Sequence, residues 1–299
     1  MDHIDPNHQP VLISESLQYL ALKTGESVLD VTVGLGGHSS AFLDAIGPSG
    51  SLIAVDADSA NLHTAQSNLS RYADQTTFIH SNFLHVPKLS LPECDCIFAD
   101  LGLSSPHIDD PKKGFSFRED GPLDMRFNRE EGVTAARCIS SSTEEELANI
   151  LYQYGEIRQS RKLAAALKLD MPKTTQQLCT TCEHIFGYKT KSYLPQVFQA
   201  LRIAVNQELE ALETLLSYGP TLLKSGGRLG IISFHSLEDR MVKRTMKKLS
   251  LPEIDDRTGA VSKEADFELI TRKGIKPSKE EMQKNPRSRS AILRVLKKR

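Results

Sequence analysis

Short apolar runs alternate with helical patterns through the first hundred residues, and this alternation restricts the fold of the chain more than any other feature. Such runs are typical of strands that are covered on both faces, as in a parallel sheet flanked by helices. The four predicted strands are residues 27–33, 51–58, 76–81 and 94–102. Two later runs, 267–271 and 291–296, are expected to complete the sheet as a closing pair. The pattern therefore predicts an α/β fold with a mostly parallel sheet.

The alternation stops after the fourth strand, and the next convincing strand is 228–234. A loop rich in Gly, Pro and Ser (102–122) and several segments with helical spacing lie between them, and the longest of these, 195–218, is predicted to be one helix. We therefore expect a helical subdomain inserted into the sheet domain. The expected boundaries are 1–104 and 215–299 for the sheet domain and 105–214 for the insert.

A glycine-rich turn follows the first strand and contains Gly34, Gly36 and Gly37. Such a turn lets a cofactor pack against bare backbone, so a side chain at Gly36 is expected to face the cofactor. The turn lacks the Gly-Lys-Ser/Thr ending of a phosphate loop, and Ser39 stands where the dinucleotide fingerprint needs its third glycine. With Asp30 at the strand end, it is more similar to the turn of S-adenosylmethionine (SAM) methyltransferases. The alternative is an ordinary tight corner.

Acidic residues end two further strands. Asp56 ends the second strand, where an acid accepts hydrogen bonds from the ribose hydroxyls of an adenosine cofactor, whether NAD or SAM. Asp100 ends the fourth strand, in the crevice where ligands of a doubly wound fold bind. Two roles stay open for Asp100: it accepts a hydrogen bond from a target amine, or it orients the methionine amine of SAM.

Several long blocks, among them DVTVGLGGHS, GFSFREDGPLDMRF and SFHSLEDR, resemble the bacterial 16S ribosomal RNA cytidine-N4 methyltransferases. The resemblance runs in order from about residue 8 to residue 295. It implies a class I SAM-dependent methyltransferase domain, with a Rossmann-like sheet and an inserted helical domain that recognises the substrate. It also implies SAM as methyl donor and a decoding-region cytidine of 16S rRNA in the small ribosomal subunit, position 1402 in the usual numbering, as acceptor.

The family's cofactor contacts, matched onto this sequence, fall on Gly36, Gly37, His38, Asp56, Phe83, Asp100 and His107. Many members carry glutamine at the position of His107, and both side chains can form hydrogen bonds. The segment KSYLPQV replaces a Pro-Ala-Thr-Arg-like segment of the family. A basic contact of the insert is therefore missing, or Lys189 or Lys191 supplies it.

Residues near Asp100 and after the fifth strand are candidates for substrate binding. Ser104 and Ser105 are expected to line the mouth of the site. Phe234 is predicted to stack on the target base, and His235 to bind phosphate or base. The alternative for His235 is that it caps the following helix.

The cysteines argue against other chemistries. Methylation of cytosine at C5 needs a cysteine nucleophile, whereas Cys94 and Cys96 lie inside a predicted strand as core residues. The CxxC pair Cys179 and Cys182 has only His184 nearby as a further ligand, so helical packing is favoured and no metal site is expected. Five cysteines without a secretory signal indicate a reducing, cytoplasmic environment, and no run is apolar enough for a membrane span.

The charge of the chain is unevenly distributed. The net charge is −1, yet residues 271–299 hold 11 Lys or Arg against 2 Asp or Glu. In this region Arg287 and Arg289 are predicted to contact RNA phosphates. A second basic group, on one predicted helix, comprises Lys243, Arg244, Lys247 and Lys248. The alternative for both groups is a solvated surface.

Two other functions compete with an RNA base methyltransferase. One is an NAD-dependent oxidoreductase on the same fold, and the other is a ribosome-assembly factor that binds without catalysis. The intact glycines and the two strand-end acids, Asp56 and Asp100, argue against the second. A homodimer is a further expectation, although no residue pattern decides the oligomeric state.

Overall fold

A computed structural model describes residues 10–255, 258 and 260–299. Residues 1–9 of the predicted sheet domain, with the start of the family resemblance, lie outside the described residues. The chain divides into two compact units. One comprises the chain up to Gly102 together with Glu210–Arg299, and the other is Leu103–Leu209. The predicted boundaries of 105–214 for an insert stay a prediction beside this division.

A seven-stranded sheet forms the first unit. Its strands are β1 (Ser27–Asp30), β2 (Ser51–Asp56), β3 (Thr76–His80), β4 (Cys94–Asp100), β5 (Leu223–Ser233), β8 (Phe267–Leu269) and β9 (Ile292–Lys298); β6 (Glu253–Ile254) and β7 (Val261–Lys263) form a separate ribbon. The order is β3-β2-β1-β4-β5-β9-β8, with β1 to β5 parallel and β9 antiparallel to both neighbours. The predicted parallel sheet and its closing pair are thus confirmed.

The helices belong mainly to the second unit. The first unit holds α1 (Ile13–Leu20), α2 (Gly37–Ile46), α3 (Ser59–Asn68), α11 (Ser236–Leu249) and α12 (Lys279–Lys284). The second holds α4 (Ser105–Asp109), α5 (Ala135–Ser141), α6 (Glu144–Gly155), α7 (Ser160–Asp170), α8 (Thr175–Phe186) and α9 (Thr190–Asn206), and α10 (Glu208–Tyr218) crosses the division. None of the described helices is long and apolar enough to cross a membrane.

Two apolar clusters cover the two faces of the sheet. Phe98 of β4 packs with Phe42 of α2 on one face, and the neighbouring Ile97 packs with Leu212 and Val242 on the other. These side chains are fully buried, and burial stabilises each by roughly 1.5–3 kcal/mol. This double coverage is why the strands are almost continuously apolar in sequence.

The second unit has its own helical core. Leucines and other apolar residues at helical spacing on α6, α7, α8 and α9 form one buried cluster. Cys179 and Cys182 belong to this cluster, so the predicted packing role of the CxxC pair is confirmed. A capping box closes the start of α6, where Thr143 Oγ1 accepts a hydrogen bond from the backbone N–H of Glu146.

The predicted long helix over 195–218 is wrong, because the chain breaks at Gln207. This residue has φ of 53°, in the left-handed region, which ends α9 and redirects the chain into α10. Two hydrogen bonds from Arg202 to Glu208, 2.8 and 2.9 Å long, tie the chain together across the break. Asn206 also donates to the carbonyl of Met125 at 2.7 Å. These contacts offset the cost of a left-handed glutamine, on the order of 1–2 kcal/mol.

Candidate cofactor and active site

The glycines of the turn between β1 and α2 are required by the backbone conformation and packing of the protein itself. Gly36 has φ of +88°, and a Cβ atom there would lie 3.1 Å from Cγ of Leu69. A Cβ atom on Gly37 would lie 2.5 Å from Cγ of Pro10. The expectation that a side chain at Gly36 faces the cofactor is therefore wrong. The first atoms of such a side chain would meet the end of α3, and the glycine serves the left-handed backbone and this close approach.

Asp56 holds the turn in place from the end of β2. Its Oδ2 atom accepts a hydrogen bond from the N–H of Gly34 at 2.7 Å, and its Oδ1 atom accepts one from the N–H of Asp58 at 2.8 Å. Burial raises the pKa of Asp56 to about 6, although these two hydrogen bonds oppose the shift. Each oxygen retains a lone pair. Asp56 can therefore also accept hydrogen bonds from ribose hydroxyls, and this role stays a prediction.

Asp30 occupies the equivalent place at the end of β1. It is buried, and its Oδ2 atom accepts a hydrogen bond from Ser39 Oγ at 2.6 Å. Its Oδ1 atom accepts one from the N–H of Thr32 at 3.1 Å. Burial raises the pKa of Asp30 to about 6. The site thus contains a second carboxyl group that is costly to ionise.

Asp100 ends β4 beside these groups. Its N–H donates to Thr32 Oγ1 at 2.7 Å, which fixes its backbone against the end of β1. Its Oδ1 atom is buried and has no hydrogen-bond partner among the described residues. Burial, followed by the negative charges of Asp30 and Glu238, raises the pKa of Asp100 well above its usual range. An acceptor left without a donor in this way costs on the order of 1–3 kcal/mol, and a ligand with N–H groups would satisfy it.

His38, on the first turn of α2, faces Asp100. Its Nε2 atom lies 2.9 Å from the carbonyl oxygen of Val11, which can only accept, so Nε2 carries a proton. Its Nδ1 atom lies 3.6 Å from Asp100 Oδ2. The ring packs against Phe98, with 4.8 Å between centroids. His38 is thus fixed by the core and by the backbone while one nitrogen points at the carboxyl group.

These carboxyl groups make the crevice acidic, and its residues fit SAM. SAM carries a sulfonium and an ammonium cation, and the negative potential of Asp30, Asp100 and Glu238 favours cations. The unpartnered Oδ1 atom of Asp100 would accept a hydrogen bond from an ammonium or amine group. Of the expected cofactor contacts, Gly36, Gly37 and His38 lie on the glycine turn and the first turn of α2, and Asp56 and Asp100 end β2 and β4.

Phe234 and His235 lie between β5 and α11. The N–H of Phe234 donates to Glu238 Oε2 at 2.8 Å, and a Cβ atom on Gly102 would meet the Phe234 ring at 3.4 Å. His235 Nδ1 accepts from the N–H of Glu238 at 3.4 Å, in a capping box. Its Nε2 atom lies 3.2 Å from Glu238 Oε1. The alternative interpretation of His235 as a helix cap is confirmed, while substrate contacts of both residues stay predictions.

Ser104, Ser105 and His107 lie in the second unit, at the start of α4. His107 is buried, and its Nδ1 atom lies 3.2 Å from the backbone nitrogen of Ser104, within a capping box. Its ring lies between Phe115 and Phe127, at 5.1 Å from each centroid. The geometry shows a capping and packing residue. A contact of His107 with SAM, and of the two serines with substrate, stays a prediction.

The remaining predicted contacts lie on surface turns of the first unit. Phe83 begins a 3-10 turn shortly after β3 and packs against the core. Arg287 and Arg289 are exposed in the 3-10 turn Pro286–Ser290. Other cations of the basic C-terminal region are structural, since Arg294 pairs with Asp239 at 2.8 Å. Only part of that region is therefore available for a polyanion.

Sequence reasoning missed two residues of this site, Thr32 and Glu238. Thr32 connects the ends of β1 and β4, and nothing in its local sequence marks it. Glu238 is buried, binds the backbone of Phe234 and acts on the charge of Asp100. The capping-box pattern has Ser or Thr three positions before the acid. Because His235 stands there, the pattern did not flag Glu238.

No group of three His, Cys, Asp or Glu side chains suited to a metal ion occurs in the part of the chain that the structure describes.

The sheet order and the acidic crevice define a class I SAM-dependent methyltransferase. A sequence model described as the MraW methylase family matches residues 5–299. The chain belongs to this family, and SAM is its methyl donor. This assignment excludes the NAD-dependent oxidoreductase.

Curated relatives that carry the name ribosomal RNA small subunit methyltransferase H resemble the chain over almost its whole length, and three of them illustrate this. The protein of Cyanothece sp. is 44% identical over 291 residues, which cover 96% of this chain and 93% of the relative. The protein of Trichodesmium erythraeum is 42% identical over 297 residues, which cover 98% of this chain and 99% of the relative. The protein of Bacteroides fragilis is 41% identical over 303 residues, which cover 98% of this chain and 97% of the relative.

Proposed function

We propose that this protein transfers a methyl group from SAM to the exocyclic N4 amine of a decoding-region cytidine, position 1402, in 16S rRNA. The substrate class follows from the relatives, which are named as methyltransferases of small-subunit ribosomal RNA. The proposed setting is the small ribosomal subunit in the cytoplasm. The expected homodimer stays a prediction.

The observation that carries the choice of an amine is the buried, unpartnered Oδ1 atom of Asp100 at the end of β4. The lone pair of the cytosine N4 atom is delocalised into the ring. A carboxylate that accepts a hydrogen bond from an N4–H group localises this pair on nitrogen, and it can accept the proton that the amine loses. SAM supplies the methyl group on a good leaving group, so alignment by the protein is the main requirement.

The cysteines support methylation of the N4 amine over methylation of the C5 atom of the ring. All five cysteines are buried. Burial raises the pKa of Cys94 to about 12 and raises that of Cys96 further, so neither thiol is a ready nucleophile at neutral pH. Asp100, rather than a thiol, therefore presents the reactive group at the carboxyl end of β4.

The test is methyl transfer to purified small ribosomal subunits from cells that lack this protein, with SAM labelled in its methyl group. Nucleosides from the digested 16S rRNA are separated by chromatography and identified by mass spectrometry. We expect labelled N4-methylcytidine. The isomer 5-methylcytidine, or a ribose 2′-O-methyl nucleoside, would contradict the proposal, as would unchanged N4-methylation in the cells that lack the protein.

A further inference from the structure

The exposed face of α11 has a single sign of charge. The exposed charged residues of this helix are Arg240, Lys243, Arg244, Lys247 and Lys248. Their spacing of i, i+3, i+4, i+7 and i+8 places them in one stripe along the helix. At a rise of 1.5 Å per residue, the stripe is about 12 Å long before the length of the side chains is added. Arg240 has a further interaction in the structure, so we call only Lys243, Arg244, Lys247 and Lys248 the α11 cationic face.

The acids of α11 do not neutralise this face. Glu238 is buried and bonds the backbone of Phe234, and Asp239 pairs with Arg294 of β9 at 2.8 Å. The opposite side of the helix holds Val242 and Met246, which are fully buried in the core. The orientation of the helix is therefore fixed by the core, and the side chains of Lys243, Arg244, Lys247 and Lys248 are exposed to solvent.

The α11 cationic face begins next to the proposed active site. His235 caps the helix, and the charge of Glu238 in the first turn raises the pKa of Asp100. A polyanion that places a base at Asp100 would therefore have its neighbouring phosphates near this helix. The protein as a whole has a net charge of −1 and does not attract RNA by its total charge. Local cationic faces must supply the attraction.

We infer that the α11 cationic face binds phosphate groups of the RNA substrate beside the target nucleotide. This inference rests on the proposed function, and it adds the surface that holds the RNA backbone. A purely structural role does not explain the whole face. Lys247 and Lys248 lie in the last turn, where cations stabilise the helix dipole, but Lys243 and Arg244 lie mid-helix and have no such role.

The test replaces the two mid-helix cations in the double variant Lys243→Gln/Arg244→Gln, because glutamine keeps the length and the helix propensity. The matched control is Lys23→Gln/Lys88→Gln, which removes the same charge from exposed residues of the same unit. These two residues lie before β1 and between β3 and β4, away from α11 in the sequence. Binding of isolated 16S rRNA is measured from low to high salt, SAM binding by calorimetry, and methyl transfer on small subunits.

We expect the α11 variant to bind RNA more weakly. Its salt slope should be smaller by roughly 0.7 for each phosphate that the variant no longer neutralises, or about 1.4 for the two cations together. KM for the subunits should rise, while SAM affinity and kcat at saturating subunits stay unchanged. The control variant should match the wild type.

Equal salt slopes for the wild type and the α11 variant would overturn the inference, as would an equal change in the control. Weaker binding to subunits with unchanged binding to isolated RNA would assign the face to an acidic protein and also overturn it.

Failure of the proposed function has a different signature. In that case the wild type binds SAM but transfers no methyl group to small-subunit RNA, whereas the salt slopes still report on the α11 cationic face. If the wild type binds no isolated 16S rRNA in any salt but methylates small subunits, the inference fails and the proposed function stands.

Discussion

The Nδ1 atom of His38 lies 3.6 Å from the Oδ2 atom of Asp100, and the other nitrogen of the ring donates to the carbonyl of Val11. A neutral imidazole with its proton on Nε2 presents a bare acceptor to the carboxyl group. Two bare acceptors repel each other, so the contact is favourable only when one of the two groups carries a proton there. Burial and two neighbouring carboxylates raise the pKa of Asp100, which favours such a proton in the free protein, whereas the two cations of SAM would favour the carboxylate. His38 therefore helps to orient the carboxyl group of Asp100.

Two substitutions of His38 separate its two contacts. His38→Gln retains a donor near the position of Nε2 for Val11 but removes the group that faces Asp100. His38→Asn retains an amide near the position of Nδ1 but loses the bond to Val11. We expect His38→Gln to lower kcat by about tenfold, a loss of roughly 1.4 kcal/mol, and His38→Asn to retain more activity. Single-turnover methyl transfer measures kcat, and thermal unfolding confirms that both variants fold. The reverse order of activities would show that only the anchor to Val11 matters.

The glycines of the turn should differ in their tolerance of alanine. A Cβ atom on Gly34 would meet only the carbonyl oxygen of Thr32 at 3.9 Å, so Gly34→Ala carries mainly the cost of its left-handed backbone, about 1–2 kcal/mol. Gly36→Ala adds the 3.1 Å contact with Leu69, and we expect a larger loss in the free energy of unfolding. Urea denaturation measures both losses.

The control for Gly36→Ala is the same change in a Leu69→Ala background. Removal of the leucine side chain should restore the part of the loss that is due to the steric clash and leave the backbone part. A Gly36→Ala loss that Leu69→Ala does not reduce would contradict this account. A valine at position 36 should destabilise the fold itself, because its first atoms meet Leu69 before any ligand.

Local patterns predicted much of this structure, and long-range pairing accounts for the rest. The sheet and its closing pair were predictable because apolar runs directly reflect burial on both faces. The break at Gln207 was not predictable, because no sequence pattern indicates a glutamine with a left-handed backbone. It depends on contacts such as that of Asn206 with Met125. The effect of Glu238 on Asp100 was also hidden, since it requires β4 and β5 to be neighbours.

The buried carboxyl group of Asp30 predicts an unusual dependence of stability on pH. Its pKa of about 6 lies above the ordinary value of 3.8, so between pH 4 and 6 the folded state binds more protons than the unfolded state. Folding is therefore favoured as pH falls through this window, and the contribution is lost as pH rises above about 6. Relative to Asp30→Asn, the wild type should gain on the order of 3 kcal/mol in the free energy of unfolding between pH 7 and pH 4.

Asp30→Asn is a suitable reference because the hydroxyl of Ser39 can accept from an amide as readily as it donates to a carboxylate. Asp95→Asn provides a contrast. Burial opposes ionisation of Asp95, but hydrogen bonds from Lys224 and Ser27 lower its pKa to about 2. Asp95 therefore contributes stability that is lost only below pH 4. Urea denaturation at several pH values measures the free energy of unfolding of each protein. Parallel pH profiles for wild type and Asp30→Asn would contradict the burial of a charged Asp30.

The last prediction concerns the charge of Asp100. In Asp100→Asn the amide can donate to the unprotonated Nδ1 atom of His38, which leaves the amide oxygen at the place of Oδ1. The variant thus keeps an acceptor for the target amine and removes the negative charge that Asp100 carries when SAM is bound. If Asp100 acts on the amine during methyl transfer, kcat should fall by about two orders of magnitude, which corresponds to roughly 2.7 kcal/mol, while SAM affinity changes little.

If Asp100 instead holds the methionine amine of SAM, the variant should change SAM binding rather than the rate of methyl transfer. A carboxylate that holds the methionine amine of SAM loses a charged hydrogen bond in the variant, so SAM affinity should drop and kcat at saturating SAM should largely recover. Calorimetry of SAM binding beside single-turnover kinetics separates the two roles. Asp95→Asn, at the other end of the same strand, controls for the loss of a carboxylate from β4 and should leave both quantities unchanged. Full activity with normal SAM affinity in Asp100→Asn would show that the charge of Asp100 serves neither role. The negative potential that favours SAM would then come from Asp30 and Glu238.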